Sequence, residues 1–138
     1  MFMVEREVPS PEVFLMIRKA AGMGPRSMEG AIRGLGRELC SVVLKLEENE
    51  KIVGMGRIVG DGGTVFHICD MAVIPDFQRQ GGGTMVMNEL MRYIEEEAPP
   101  NTYINLLADV SGFYERWGFK PSRPSSTGMH LKLSLIHI

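Results

Sequence analysis

The sequence has few of the features that are typical of membrane, secreted or metal-binding proteins. Its 138 residues include only two cysteines, three histidines and one tryptophan. No apolar run approaches the roughly 18–20 residues that a membrane-spanning helix needs. The first eight residues include Glu5, Arg6 and Glu7, a pattern that does not predict a signal peptide. We therefore expect a folded domain without a membrane segment.

Cysteine and histidine are also poorly placed for a metal site. Cys40 and Cys69 stand far apart, and neither a C-x-x-C nor an H-E-x-x-H motif occurs. We expect no structural zinc and no disulfide framework, and this usage favours a cytoplasmic location. The net charge of −2 differs from the basic surplus of most proteins that bind phosphate backbones. Nucleic acid is therefore not expected as a partner.

Strand-like and helix-like segments alternate along the chain. Ser10 and Pro11 predict the start of the first helix, and Gly54 with Gly56 indicate a bulge or a close backbone approach. Strands are predicted at 2–8, 41–46, 51–59, 65–74, 103–107, from 119 and at 129–138, and helices at 13–21, 27–35, 84–97 and 112–117. This order predicts one α+β domain over 1–138, with a mixed, mostly antiparallel sheet of about six to seven strands and about four helices.

The segment from Asp70 to Thr84 carries the clearest chemical signal. A strand leads into a polar loop, then into three successive glycines and a long amphipathic helix. Glycine allows main-chain N–H groups to turn toward a ligand, and a helix start adds unpaired N–H groups with a partial positive charge. Pyrophosphate fits such a site. The segment lacks the lysine of a Walker A loop and, with Val86, the last glycine of a Rossmann fingerprint.

Two motifs in this order resemble the GNAT N-acetyltransferase superfamily. Gln78-Arg79-Gln80-Gly81-Gly82-Gly83 is similar to its [Q/R]-x-x-G-x-[G/A] signature, and the segment 112–119 is similar to its F-Y-x-x-x-G-F element. The resemblance covers roughly residues 51–133. It implies an acetyl-CoA-dependent enzyme that acetylates the primary amine of a small molecule or an N-terminal amine. It also implies that the fourth and fifth strands splay apart, with the thioester in the gap.

The resemblance assigns roles to individual residues. Main-chain N–H groups of 80–84 would hold the pyrophosphate, and those of 71–73 would pair with the pantetheine arm. Tyr114 matches the tyrosine that protonates the leaving thiolate, a role that suits a phenol with an ordinary pKa of ~10. The residues expected to bind the cofactor are Met71, Ala72, Val73, Gln78, Arg79, Gln80, Gly81, Gly82, Gly83, Thr84, Asp109 and Phe113.

The general base is less sharply defined by the residues. Asp70 is the first candidate and His67 the second, since both lie on the fourth predicted strand. A period of two puts Phe66, Ile68, Asp70 and Ala72 on one face of that strand, and His67, Cys69 and Met71 on the other. Either Asn105 or Asp109 could supply the family's polar contact to pantetheine, and spacing does not decide between them.

Two other functions remain open from the sequence alone. A non-catalytic acyl-CoA-binding module would use the same glycine-rich loop, and a protein-interaction domain would use the glycines only structurally. Tyr114 favours the enzyme, because a binding module needs no proton donor there. The resemblance implies that residues 21–35 select the acceptor. The apolar segment 133–138 leaves a homodimer possible.

Overall fold

The computed structural model describes residues 1–133. Within them the chain forms five strands and three α-helices. In chain order these are β1 (Phe2–Arg6), α1 (Pro11–Ala20), α2 (Met28–Gly34), β2 (Cys40–Leu46), β3 (Ile52–Gly60), β4 (Val65–Val73), α3 (Gly82–Glu97) and β5 (Tyr103–Leu106). Two short 3-10 helices, Pro75–Phe77 and Tyr114–Trp117, complete the regular structure of these residues.

The five strands form one sheet in the order β1-β2-β3-β4-β5. The first four are antiparallel neighbours, whereas β5 runs parallel to β4. A parallel pair needs a crossover connection, and α3 provides it between β4 and β5. The predicted α+β class with a mixed, mostly antiparallel sheet is therefore confirmed.

The predicted count of six to seven strands and four helices is not confirmed within residues 1–133. The predicted helix at 112–117 is a single 3-10 turn, which ends where Gly118 adopts a φ of 91°. No strand forms from Phe119 to Leu133, a stretch in which Pro121 and Pro124 remove N–H donors that a strand ladder needs. Residues 134–138 of the predicted last strand lie outside the described residues.

Local sequence signals set the helix starts. Ser10 Oγ accepts a hydrogen bond from the Val13 N–H at 3.2 Å, and Pro11 is the first residue of α1, as predicted. Ser27 caps α2 in the same way through the Gly30 N–H at 2.9 Å. The third helix starts at Gly82 rather than at Thr84. The earlier start follows from Gly81, whose φ of 86° lets it serve as the residue before the helix.

Helices cover both faces of the sheet. On one face, Phe14, Ile17 and Ala31 of α1 and α2 pack with Met55 and Ala72 of the sheet. On the other face, α3 buries its apolar stripe, formed by Val86, Met87, Leu90 and Ile94. Strand β2 is buried along its whole length, and it is paired on both edges, with β1 and with β3. No helix within residues 1–133 is long and apolar enough to cross a bilayer.

The chain separates into two compact units, Met1–Leu106 and Leu107–Ile138. The first unit contains the sheet and the three α-helices. In its described part, the second unit contains the 3-10 helix Tyr114–Trp117 and irregular segments on either side of it. The prediction of a single domain stays a prediction.

Gly56 of β3 packs directly against α3 and against Met71 of β4. A Cβ atom there would lie 2.5 Å from Met71 Sδ and 2.8 Å from Val86 Cγ1. These separations are too short for carbon and its neighbours, so a side chain at this position would displace both. The close approach that the sequence indicates is confirmed at this glycine.

Replacing Gly56 by alanine is expected to lower the free energy of unfolding by about 1–3 kcal/mol, the range for overpacking a core. Gly34→Ala is the matched control, because its Cβ would meet no atom within 4 Å and its backbone suits alanine. Urea denaturation midpoints compare the two variants. Equal stability of the Gly56 variant and the unmodified protein would contradict the packing described.

Candidate active site

Strand β4 carries a bulge at the centre of the sheet. Met55 and Arg57 of β3 pair with Ala72 and Cys69 of β4, so two steps on β3 face three steps on β4. The extra residue falls at Asp70, whose φ is 57°. A bulge of this kind breaks the alternation of side chains along a strand.

The bulge overturns the predicted common face of Phe66, Ile68, Asp70 and Ala72. The ring of Phe66 lies 6.4 Å from that of Tyr93 on α3. Ala72 instead packs with Phe14 and Ile17 on the opposite face of the sheet. Period-two reasoning fails here because the sequence carries no mark of the extra residue in the ladder.

Asp70 lies at the centre of a chain of ion pairs. One carboxylate oxygen accepts from Arg18 Nη1, and the other accepts from Arg57 Nε at 2.7 Å. Arg57 Nη1 in turn donates to Glu38 Oε2 at 3.2 Å. We call these four residues the ion-pair chain, and it joins α1, β3 and β4. Asp70 and Arg18 are both buried, with 8% and 5% of their surface exposed.

Arg18 also holds the segment between α1 and α2. Its Nη2 donates to the carbonyl of Gly24 at 2.7 Å, and its Nη1 approaches Met23 Sδ at 3.9 Å. Its Nε is buried and has no hydrogen-bond partner among residues 1–133.

A small cleft adjoins Arg57 and Asp70. Its other lining residues are Pro9, Phe14, Leu35, Ser41, Met55 and Gly56.

The connection between β4 and α3 has the backbone form expected for an anion site. Residues 78–84 span the end of this connection and the first turn of α3, and we call them the β4–α3 corner. Arg79 and Gly81 both have positive φ, 62° and 86°, on either side of Gln80. Such alternation turns successive main-chain N–H groups to one side. The 16-residue helix α3 follows directly, so its partial positive charge lies at the same place.

Two glutamine side chains of the β4–α3 corner donate hydrogen bonds to nearby main-chain carbonyls. Gln78 Nε2 donates to the carbonyl of Val73 at 2.8 Å, and Gln80 Nε2 donates to that of Asp76 at 3.3 Å. Gly82 is buried, and a Cβ there would collide with the side chain of Leu44 on β2. Gln78, Gln80 and Gly82 thus fix the backbone shape of the corner. Direct contact of these side chains with a ligand stays a prediction.

The β4–β5 ladder stops before β4 does. It runs from Val65 opposite Tyr103 to Ile68 opposite Leu106, while β4 continues to Val73. Residues 69–73 therefore lie beyond the ladder with β5, and they include the positions predicted to pair with pantetheine. The ladder ends where β5 itself ends, at Leu106, so the predicted splay of the two strands stays a prediction.

Two polar side chains meet near the end of that ladder. His67 and Asn105 are in register, and His67 Nδ1 lies 2.6 Å from Asn105 Oδ1. Both residues are half-buried. The sequence places each of them on a strand, but only the parallel register shows that they face one another.

Cys69 does not have the chemistry of an acyl carrier. Burial raises the pKa of its thiol to about 12, and the charge of Asp70 adds to the effect. The thiol therefore stays protonated at neutral pH, whereas the thiolate is the nucleophilic form.

The second unit places Tyr114 in an aromatic cluster. Its ring packs edge-on against Phe113 at 4.9 Å and against Phe119 at 6.5 Å. Burial raises the pKa of the Tyr114 phenol, and the charge of Asp109 adds to this. The phenol is thus protonated at neutral pH. Phe113 is half-buried and Asp109 is exposed, and their roles toward a cofactor stay predictions.

The described residues provide no grouped metal ligands. Within residues 1–133, no cluster of three or more His, Cys, Asp or Glu side chains is arranged to hold a metal ion.

Comparison with known proteins agrees with this geometry. The family model described as an acetyltransferase (GNAT) domain matches residues 40–121. A solved structure from meticillin-resistant Staphylococcus aureus, described as a protein of unknown function and probable acetyltransferase, is 38% identical. It superposes with a TM-score of 0.90 over 96% of this chain and 100% of that one. The chain therefore belongs to the GNAT acetyltransferase family.

More distant relatives extend the comparison. An uncharacterised N-acetyltransferase from Pyropia yezoensis is 30% identical over 66% of this chain, and the match spans 52% of that protein's length. A GNAT family acetyltransferase from Brucella melitensis, solved in complex with acetyl-CoA, is 20% identical with a TM-score of 0.63. The match covers 88% of this chain and 84% of that one, and it shows the shared fold.

Asp70→Asn is expected to lower the free energy of unfolding by about 3–5 kcal/mol, because it leaves a buried guanidinium without its counter-charge. Asparagine tolerates a positive φ, so the change isolates the charge. Glu29→Gln is the control, since its ion pair with Arg33 is exposed and worth roughly 0–1 kcal/mol. Chemical denaturation compares them, and a loss no larger than the control's would contradict a stabilising role of the ion-pair chain.

Proposed function

We propose that this chain transfers the acetyl group of acetyl-CoA directly to the primary amine of a small molecule. The observation that carries the proposal is the β4–α3 corner, where positive φ at Arg79 and Gly81 precedes a long helix. Family membership supports the choice of acetyl-CoA as the donor. The cytoplasmic location and the homodimer stay predictions from the sequence.

Main-chain N–H groups of the β4–α3 corner bind the pyrophosphate of the donor. The backbone alternation and the helix start act on the same anion, and neither depends on a charged side chain. Arg79 adds a positive charge at an exposed position. The pantetheine arm then follows residues 71–73, where β4 has run past the end of its ladder with β5.

The amine attacks the carbonyl carbon of the thioester as a neutral nucleophile. A C–N bond forms, the C–S bond breaks, and the nitrogen gives up one proton. Tyr114 supplies a proton to the departing thiolate. A phenol whose pKa is raised by burial remains protonated until that step, and the CoA thiolate, whose conjugate thiol has a pKa of about 8.5, accepts the proton.

Asp70 is better suited to a structural role than to the role of general base. Its two carboxylate oxygens already accept from Arg18 and Arg57. Taking up a proton would remove the counter-charge of a buried arginine, which carries a large penalty. The ion-pair chain therefore holds the segment at Met23 and Gly24 next to β4, where we expect the acceptor to bind.

Gly81→Val is expected to weaken binding of CoA, because a branched side chain at a left-handed position distorts the β4–α3 corner. Gly36→Val is the matched control. Both glycines have positive φ, 86° and 96°, and at neither would a Cβ meet an atom within 4 Å. Isothermal titration calorimetry with free CoA measures the two dissociation constants. Equal affinities would refute the proposed donor site.

Tyr114→Phe is expected to lower kcat by about 10²–10⁴, the usual span for a lost acid–base group, with CoA affinity unchanged. Tyr103→Phe is the control, since Tyr103 is an exposed tyrosine on β5. Thiol release from acetyl-CoA is followed with a panel of amines, amino acids, polyamines and aminoglycosides. Unaltered turnover would remove Tyr114 from the mechanism. CoA binding without turnover for any acceptor would indicate a non-catalytic binding module instead.

A further inference from the structure

The two carboxylates of the ion-pair chain have no acceptor oxygen left for a ligand. Asp70 accepts through both oxygens, from Arg18 and from Arg57. Both oxygens of Glu38 accept from the main-chain N–H of Gly36, and one of them also accepts from Arg57. The side chains of Asp70 and Glu38 are only 7% and 2% exposed. Both negative charges are therefore buried and already occupied.

Arg57 has hydrogen-bond donors that the chain does not use. A guanidinium carries five N–H groups. The Nε of Arg57 donates to Asp70 and its Nη1 donates to Glu38, whereas its Nη2 has no hydrogen-bond partner among residues 1–133. The side chain is 20% exposed and lines the small cleft beside α1. Its unused N–H groups are thus available to a ligand in that cleft.

Ser41 adds a second unused donor to the same cleft. It lies directly opposite Arg57 in the β2–β3 ladder, which puts both side chains on one face of the sheet. Ser41 is only 8% exposed and lines the cleft, and in the described part of the chain its hydroxyl has no hydrogen-bond partner. A buried polar group of this kind is stabilised by a ligand that completes its hydrogen bonds.

The surroundings of these donors favour an anion with one negative charge. The cleft has apolar walls that include Pro9, Phe14 and Leu35, and the guanidinium carbon of Arg57 lies 5.4 Å from the centroid of the Phe14 ring. Hydrogen bonds to a charged group are stronger in such surroundings than in water. The ion-pair chain contains two arginines and two carboxylates, so it balances a monoanionic carboxylate better than a dianionic phosphate.

We propose that Arg57 Nη2 and the Ser41 hydroxyl bind the carboxylate of the acceptor, so that the acetylated amine is that of an amino acid. This inference rests on the proposed function. Arg57 is in register with Cys69 on β4, two residues or roughly 7 Å before Met71, where we place the start of the pantetheine contact. An amine that is separated from its carboxylate by a few bonds spans that distance. A polyamine has no negative group for these donors.

Binding is measured first, without turnover. The protein saturated with free CoA is titrated by calorimetry with N-acetyl derivatives of the common amino acids and with the corresponding N-acetyl amino acid amides, which lack the negative charge. The best acid is expected to bind about 10- to 100-fold more tightly than its amide, the effect of a hydrogen bond to a charged group. Equal affinities of every acid and its amide overturn the proposal.

Two variants test the residues. Arg57→Lys keeps a positive charge beside Asp70 and Glu38 but removes the Nη2 donors, and Ser41→Ala removes only the hydroxyl. Each is expected to weaken binding of the acid by about 10-fold and to leave binding of the amide unchanged. Arg92→Lys and Ser125→Ala are the matched controls because both residues are exposed.

Turnover is measured second, with each amino acid and with the amine that lacks only its carboxylate. The ratio of the two kcat/KM values is expected to favour the amino acid and to fall about 10-fold in Arg57→Lys and in Ser41→Ala. The change should lie in KM for the acceptor, with KM for acetyl-CoA unaltered. The intrinsic reactivity of the two amines differs, but it cancels when variants are compared on the same pair. An unchanged ratio in both variants overturns the proposal.

Thermal melting of each variant verifies that it is folded. If Arg57→Lys does not fold, Ser41→Ala decides the test alone, because Ser41 belongs to no ion pair among residues 1–133.

The outcomes separate this inference from the proposed function. If the unmodified protein acetylates amines and prefers those without a carboxylate, only the carboxylate site is overturned. If it binds no CoA and releases no thiol with any amine, the proposed function fails. The titration with N-acetyl amino acids, repeated without CoA, then still decides whether Arg57 and Ser41 bind a carboxylate.

Discussion

Asp70 is a single negative charge placed between two guanidinium groups, Arg18 on α1 and Arg57 on β3. Most of its surface is buried, so the two arginines are the partners that make its charge tolerable in the core. The same contacts require that Asp70 face α1, and the bulge in β4 provides that orientation. The helical layer, the bent strand and the segment at Gly24 are therefore coupled through one carboxylate.

The bulge at Asp70 divides β4 into two halves with different partners. Before the bulge, β4 is paired on both edges, with β3 and with β5. After it, the strand runs beyond the β5 ladder and leads to the β4–α3 corner. The first half holds His67 against Asn105 within the ladder, and under the proposed function the second half supplies main-chain groups for the donor. A rigid ladder beside an open edge is well suited to hold two reactants at a fixed separation.

The sequence predicted the elements better than it predicted their details. The effects of Ser10, Pro11 and Gly81 on the backbone are local. The start of α1 and the glycine-rich form of the β4–α3 corner could therefore be predicted from neighbouring residues. The bulge at Asp70 could not, because an extra residue in a ladder depends on how β3 and β4 align. The partners of Asp70 and His67 were invisible for the same reason, since Arg18, Arg57 and Asn105 lie on other elements.

The region after Leu106 shows a second feature that the sequence did not predict correctly. Apolar residues alternate at Met129, Leu131 and Leu133, as in a strand, yet residues 119–133 form none. A strand is stabilised by the partner that completes its hydrogen bonds as well as by its own side chains. Composition describes only the side chains. Pro121 and Pro124 lack the N–H groups that hydrogen bonding to a partner strand needs.

The main-chain character of the β4–α3 corner has a consequence for how such a protein can diversify. An anion held by peptide N–H groups is recognised through backbone shape, so most side chains around it can change without loss of the donor. Under the proposed function, selectivity for the acceptor depends instead on side chains of another layer, near Met23. One chain can thus acquire new acceptors by substitutions in that layer while its use of a common activated donor is inherited intact.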